Sequence, residues 1–340
     1  MNTLIGLDIG SHTIKLIEVE HDKNQLVLRA AGSAPTPSKA LTSTLPADQK
    51  AVAQAVQQLM KDTGARSTNV AIALPESQVF TRVIEVPHLS ARELASAIRW
   101  EAEQYIPLPL EQVNMDFSVL RDEKETSSGM MEVLLVATPK ALLDKYLTFL
   151  ELAELTPVAA ETEIIATARA LSRSVAGVKT VMIVSLGAQT TDLSILRNGV
   201  LAFTRSISAG GEALSRALVS GLDFNTAQAE EFKRTYGVES DKLEGKIVTA
   251  VKPIMDTIIG EMKRAIAFYQ EKHPDDRIET IILAGGTAKL PGMVVYLAQN
   301  VGLEAQLANP WVGMAKDARF SVLDHEGPTF AVAVGLAIRQ

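Results

Sequence analysis

Two short stretches, far apart in the chain, read alike. LDIGSHTIKL (7–16) and VSLGAQTTDL (184–193) superpose without a gap, Gly10 on Gly187, Thr13 on Thr190, and apolar on apolar. Each reads as an apolar strand, a glycine turn carrying hydroxyls, and a second strand. Partners this far apart predict a duplicated lobe and not a solenoid. Two facing lobes, each offering such a hairpin, would clamp one polyphosphate from both sides. Two unrelated hairpins would give the same pattern, and these segments alone leave both readings open.

The residue types in the turns decide what they suit. Glycine lets backbone N–H groups approach phosphate oxygens with no Cβ in the way. Ser11, Thr13, Thr190 and Thr191 add hydroxyl donors, and Lys15 is placed to neutralise a β- or γ-phosphate. Asp8, at the end of a strand beside the turn, suits Mg²⁺ held through water, since that ion keeps several of its waters. A solvated strand lysine and a turn-capping carboxylate are the plainer roles for Lys15 and Asp8. A third glycine element, ILAGGTAKLPGM (282–293), runs an apolar strand into Gly285, Gly286 and Thr287, where adjacent glycines allow a flat nucleoside to lie against backbone. A fourth, Gly210-Gly211-Glu212, lies at a helix start suited to donate N–H groups to an anion. Neither GxxxxGK[ST] nor GxGxxG is present, so the chain has neither a Walker loop nor a Rossmann fingerprint.

At 340 residues the chain exceeds one compact core, so two or more lobes are expected. A net charge of −7 provides no basic field for nucleic acid or anionic lipid, and the lack of cysteine removes disulfides and thiolate chemistry. The five histidines are scattered without ligand spacing. The opening run carries Asp8 and reads as a strand and not a leader; no apolar stretch approaches ~20 residues, so a cytoplasmic protein is expected.

Along the chain, residues 31–46 read as a loop and 47–63 as a helix. From about residue 77 the texture changes to strand, helix, two strands (113–120 and 131–139) around the polar loop RDEKETSSG, and a helix over 140–155. Ser90 and Glu93 form a capping-box pattern at the start of the helix 90–106. Residues 77–155 thus make an α+β insert. The segment 156–172 reads as a turn leading into a helix, 181–207 as strands, and 226–237 and 243–272 as helices. The expected organisation is a first lobe over 1–76 with 156–178, the insert, and a second lobe over 179–340 whose helical subdomain is 223–276.

These elements, in this order, resemble the actin/heat-shock-70/sugar-kinase superfamily. Within it, IRWEAEQYIPLPLEQVNMDFSVL (98–120), IGLDIGSHTIKLIEVE and GPTFAVAVGLAIRQ resemble the PilM family of type IV pilus assembly, over essentially the whole chain. The resemblance implies an α/β, actin-like ATPase fold of two duplicated lobes with an FtsA/PilM-type α+β insert, and ATP with Mg²⁺ between the lobes. It assigns Asp8, Gly10, Ser11, Thr13 and Lys15 to the first phosphate motif and Gly187, Thr190 and Thr191 to the second. Gly210 and Gly211 fall near ribose and phosphates, Glu230 and Lys233 on the adenosine-packing helix, and Gly285, Gly286 and Thr287 in the adenosine loop. Glu163 takes the place near the attacking water. Ser185 departs from the pattern, because relatives carry Asp there; Asp192, across the hairpin, offers no reason from sequence to replace it, so ATP binding with weak or absent hydrolysis is expected.

The resemblance further implies a partner: the N-terminal tail of a PilN-like inner-membrane protein, in a groove near residues 77–120, with Trp100 and Tyr105 as anchors or, more plainly, as insert core. It links the chain to the pilus assembly ATPase machinery and to the membrane only through partners. Self-association is left open. An FtsA-like divisome or filament protein and a sugar or acetate kinase are the alternatives.

Overall fold

The computed structural model describes residues 2–22, 25–39, 41–126 and 129–339. Residues 127–128 of the loop after the second insert strand, Ala40 of the 31–46 segment and the final Gln340 lie outside them.

The first lobe is built on β1 (Asn2–Ile9), β2 (Thr13–Asp22), β3 (Gln25–Pro35), β4 (Asn69–Leu74), β8 (Thr156–Thr162) and β14 (Met314–Ala315), in the order β14-β3-β2-β1-β4-β8. β1 and β2 pair antiparallel in the register Ile9–Ile14 and Asp8–Lys15, so the glycine turn closes a tight hairpin. Two local readings change. β3 continues to Pro35 because it keeps pairing with β2 as far as Thr13, which shortens the loop read over 31–46. TPVAAET is a strand and not a turn: β8 runs parallel to β4 at the sheet edge, where Pro157 leaves no needed N–H unpaired. Helices α1 (Pro46–Thr63) and α3 (Lys140–Leu152) cover one face, and Leu142, Tyr146, Phe149 and Leu150 of α3 join the core of this sheet.

The second lobe has β9 (Thr180–Leu186), β10 (Thr191–Arg197), β11 (Val200–Ile207), β12 (Thr280–Ala284) and β13 (Glu304–Leu307), in the order β11-β10-β9-β12-β13. Its helices α5 (Gly211–Leu222), α6 (Thr226–Tyr236), α7 (Lys246–Lys272) and α8 (Met293–Val301) pack on the face that carries Met182, Val184, Leu193 and Ile195.

The inserted sheet is β5 (Phe80–Val86), β7 (Met131–Pro139) and β6 (Val113–Arg121), in that order, with α2 (Ala91–Tyr105) on one face. Ser90 and Glu93 make the capping box read from sequence. The alternation of β7 sorts its sides: Val133, Leu135 and Ala137 pack with Leu94, Ile98 and Ala102 of α2, whereas Leu134 and Val136 turn to the rest of the molecule.

Two helices cross the middle, α4 (Glu163–Leu171) and α9 (Gly327–Ala337). The segment read as second-lobe material at the chain's end returns to the first sheet: β14 pairs with β3, and α9 packs on β1, β2, β4 and α4. Glycine allows the approach. A Cβ at Gly6 of β1 would stand 2.0 Å from Ala333 O, and one at Gly335 of α9 only 1.8 Å from Ala166 O of α4. The helix is therefore apolar all round because it is buried all round.

Candidate functional site

The two echoed turns close by the same hydrogen bond. Gly10 N–H donates to Thr13 O at 3.1 Å, and Gly187 N–H to Thr190 O at 2.9 Å. A Cβ on either glycine would sit 3.0 Å from that same carbonyl oxygen. The lobes bring these turns to opposite sides of a 550 Å³ cavity. From the first hairpin it is lined by Asp8, Gly10, Ser11, Thr13 and Lys15, and from the second by Gly187 and Thr190. Gly211, Glu230 and Lys233 line the second-lobe wall together with Gly285, Gly286 and Thr287, and Glu163 enters from the first turn of α4.

Thr191 and Gly210 shape the walls from behind. Thr191 is buried and its hydroxyl donates to Ala209 O at 2.7 Å. Gly210 is pressed on the second turn, where a Cβ would lie 2.7 Å from Ala188 O. Gly285 takes φ +84° with the Leu186 backbone behind it, and Thr287 Oγ1 donates to Gly187 O at 2.9 Å, tying the third glycine element to the second. Lys233 donates to Gly211 O, Ser215 Oγ and Glu230 Oε1 at 3.1, 2.7 and 2.7 Å, which fixes α6 against the start of α5.

The electrostatics are those of crowded carboxylates. Asp8 is paired with Lys15 at 3.0 Å. Burial, then Asp192, Asp8 and Glu76, push the Glu163 carboxyl well above the usual range. Burial and then Asp192 raise Glu76 to about 7, and burial raises Asp192 to about 6 against hydrogen bonds from Ser206 and Thr190. A site with this charge balance favours cations. Among the described residues no three His, Cys, Asp or Glu side chains gather tightly enough to cage a metal alone. A hydrated ion, which keeps several of its waters, is the kind that Asp8 and Asp192 would be suited to hold.

From sequence, Asp192 gave no reason to replace the acid missing at Ser185, and His12 was one of five scattered histidines. Ser185 and Asp192 are directly opposed across β9 and β10, and both line the cavity. The carboxylate lacking at Ser185 is thus present on the neighbouring strand. Counting outward from the Gly187–Thr190 turn gives this register, so the signal was in the sequence. His12 Nδ1 meets Glu212 Oε1 at 3.2 Å, joining the first turn to the start of α5 across the cavity mouth.

A second cavity, of 740 Å³, separates the insert from the first lobe. Consecutive residues Asp116, Phe117 and Ser118 of β6 line one side, and Ala160, Glu161 and Thr162 of β8 the other. Neighbours from both faces of a strand line a cavity only when it looks on the strand edge, and β6 and β8 are edge strands of their sheets. Leu120, Leu134, Val136 and Ile165 give it an apolar floor. At one end Glu161 accepts from both Arg169 and Arg339. Trp100 and Tyr105 are on the other side of the inserted sheet: Trp100 is exposed, and Arg82 lies 4.2 Å over the Tyr105 ring.

Duplicated glycine hairpins facing one cavity across two α/β lobes define the actin-like class, and similarity to solved structures agrees. Ethanolamine utilization protein EutJ from Carboxydothermus hydrogenoformans shares the fold at TM-score 0.59 and 18% identity, covering 99% of this chain and 90% of that one. The chain belongs to the type IV pilus assembly protein PilM family, which matches residues 6–340. A solved PilM–PilN type IV pilus biogenesis complex matches at TM-score 0.87 and 32% identity, over 99% of this chain and 98% of that one. Cell division protein FtsA of Enterococcus hirae is a distant relative, 23% identical over 351 residues, 90% of this chain and 78% of its own. Among the described residues no helix is long and apolar enough to cross a membrane.

Proposed function

We propose that this pilus assembly protein is an ATP-binding scaffold that holds the N-terminal tail of a PilN-like inner-membrane protein. The observation that carries the reading is the 740 Å³ cavity between two open sheet edges. An extended peptide entering there finds unpaired N–H and C=O groups on both sides, and an apolar floor for alternate side chains. Association with the inner membrane, and with the assembly ATPase machinery, then runs through this partner. The solved PilM–PilN complex of a relative supports the choice of occupant.

The interlobe cavity supports ATP as the second ligand. Both turns line this cavity with the hydroxyls of Ser11, Thr13 and Thr190 and with Lys15, which would meet phosphate, and the Gly285–Gly286 backbone would offer a flat surface to the base. Bound Mg²⁺ would neutralise the phosphates; Asp8 and Asp192 are the residues that would hold it. Hydrolysis is slow in this reading, because Asp192 is held by Ser206 and Thr190, Asp8 by Lys15, and burial pushes the Glu163 carboxyl upward, which weakens it as a base.

The test is a titration of a fluorescent tail peptide with and without ATP and Mg²⁺, following phosphate release in the same sample. Leu120→Glu, which puts a charge on the cavity floor, should abolish peptide binding and leave ATP binding intact. Unchanged peptide affinity in that variant would remove the cavity from the proposal, and rapid phosphate release would replace the scaffold with a motor or kinase cycle.

A further inference from the structure

Two kinds of contact join the lobes around the interlobe cavity. One kind runs through α9. Gly285 N–H of the third glycine element donates to Pro328 O in the first turn of α9 at 2.8 Å, and Pro328 is buried. Lys289 of the same element pairs with Glu326, at the start of that helix. The other kind is a single side-chain contact, His12 Nδ1 of the first glycine turn to Glu212 Oε1 of α5 at 3.2 Å. Among the described residues it is the one ion pair between the first phosphate hairpin and the second lobe.

Both ends of this contact are pinned to the phosphate turns themselves. Thr36 N–H donates to the His12 carbonyl at 2.9 Å and Thr36 Oγ1 to the Gly10 carbonyl at 2.7 Å, which holds the first turn on the end of β3. Gly211 N–H donates to Gly187 O at 3.0 Å and Glu212 N–H to Ala188 O at 2.8 Å, which seats α5 on the second turn. His12 and Glu212 both line the cavity. Their side chains are 52% and 29% exposed, so they meet at its rim, in reach of water.

The two kinds of contact differ in what breaking them costs. A buried backbone hydrogen bond leaves donor and acceptor unsatisfied when it parts. A pair at the rim exchanges its partner for water and is worth little. The lobes therefore part first at His12 and stay joined at α9. We infer that the His12–Glu212 pair is a latch over the nucleotide cavity, which sets how fast nucleotide enters and leaves. This rests on the ATP binding proposed above and adds its gate. Because the pair joins protein to protein and needs no ligand to form, its loss speeds entry and exit alike and leaves affinity nearly unchanged.

The experiment measures both rate constants by stopped flow with a fluorescent ATP analogue and Mg²⁺. His12→Ala should raise entry and exit together by about two- to fivefold, the range open to an exposed pair, with their ratio held within about twofold. His12→Lys, which returns a cation to Glu212, should bring both rates back. Arg216→Ala removes a neighbour 3.5 Å from Glu212 on its own helix and should leave both rates nearly unchanged. Faster exit with unchanged entry would make His12 a nucleotide contact and overturn the latch, as would rates that do not move. A stronger test uses the lack of native cysteine. In His12→Cys/Glu212→Cys a short bismaleimide, its linkage confirmed by intact mass, should trap analogue loaded beforehand and exclude analogue added afterwards. Each effect should exceed about tenfold against the unlinked variant. Free exchange through the linked protein would show that the lobes open elsewhere and overturn the latch. If no analogue binds the unaltered protein, the proposed ATP site falls and the latch with it. If it binds and only these variants behave otherwise, the site stands without the latch.

Discussion

Replacing Glu76 by Gln should stabilise the protein, and by an amount that depends on pH. Glu76 follows β4 at the point where the chain leaves the first sheet for the insert, and it is 5% exposed with Oε2 lacking a hydrogen-bond partner among the described residues. Burial, and then the charge of Asp192, raise it from 4.5 to about 7. A raised value means that the folded state holds the proton more tightly than the unfolded chain does. Below 4.5 both states are protonated and nothing is lost. As pH rises from 4.5 to about 7 the unfolded chain releases its proton first, so stability falls, and above about 7 the loss is complete. The rise from 4.5 to about 7, at about 1.4 kcal/mol for each pH unit, sets that loss at about 3.5 kcal/mol. Gln keeps the shape without the titration. Urea unfolding followed by far-ultraviolet circular dichroism should therefore show Glu76→Gln gaining little near pH ~5 and about 3.5 kcal/mol near pH ~8. A difference that is flat with pH, or that grows as pH falls, would refute the assignment of a buried, proton-retaining carboxyl.

Gly335→Ala should cost more than about 3 kcal/mol or prevent soluble expression, since its Cβ has no room beside Ala166 O; Gly286→Ala, with nothing within 4 Å, should leave the thermal midpoint unchanged. Gly10→Val or Gly187→Val should abolish ATP binding with retained circular dichroism, and undiminished affinity would make the turns purely structural. Asp192→Asn should weaken Mg²⁺-dependent ATP binding by about tenfold, ~1.4 kcal/mol; equal loss with and without Mg²⁺ would assign Asp192 to the turn and not to the ion. Ser185→Asp places a second carboxylate directly opposite Asp192, so it should raise phosphate release while lowering stability of the nucleotide-free protein.

Much of the site was legible because it lies in local patterns. A glycine turn with hydroxyls between apolar strands specifies its own hairpin, and the echo of 7–16 in 184–193 offered a duplicated lobe as one of two readings, between which packing decides. Capping at Ser90 was equally local. What escaped the sequence depends on contacts between distant segments. β8 looked like a turn because Pro157 and the short run of small residues after it hide a strand that pairing with β4 reveals. The return of β14 and α9 to the first sheet requires Gly6, Ala333, Gly335 and Ala166 to meet, and no window of sequence contains all of them.

Ser185 shows how far a motif read by position alone can mislead. The position lost its acid, and by motif the site lost a metal carboxylate. In the hairpin, position matters less than register: residues 185 and 192 face the same cavity from adjacent strands, so the site keeps a carboxylate there. What changes is its surroundings. Asp192 accepts from Ser206 and Thr190 and is buried enough to be raised to about 6, so it is oriented by the second lobe's own strands before any ligand arrives. β10 then runs from that carboxylate to Arg197, whose Nη2 donates to Glu132 of the inserted sheet at 2.6 Å. One strand thus carries a candidate ion-holding group at its start and the insert's fastening at its end.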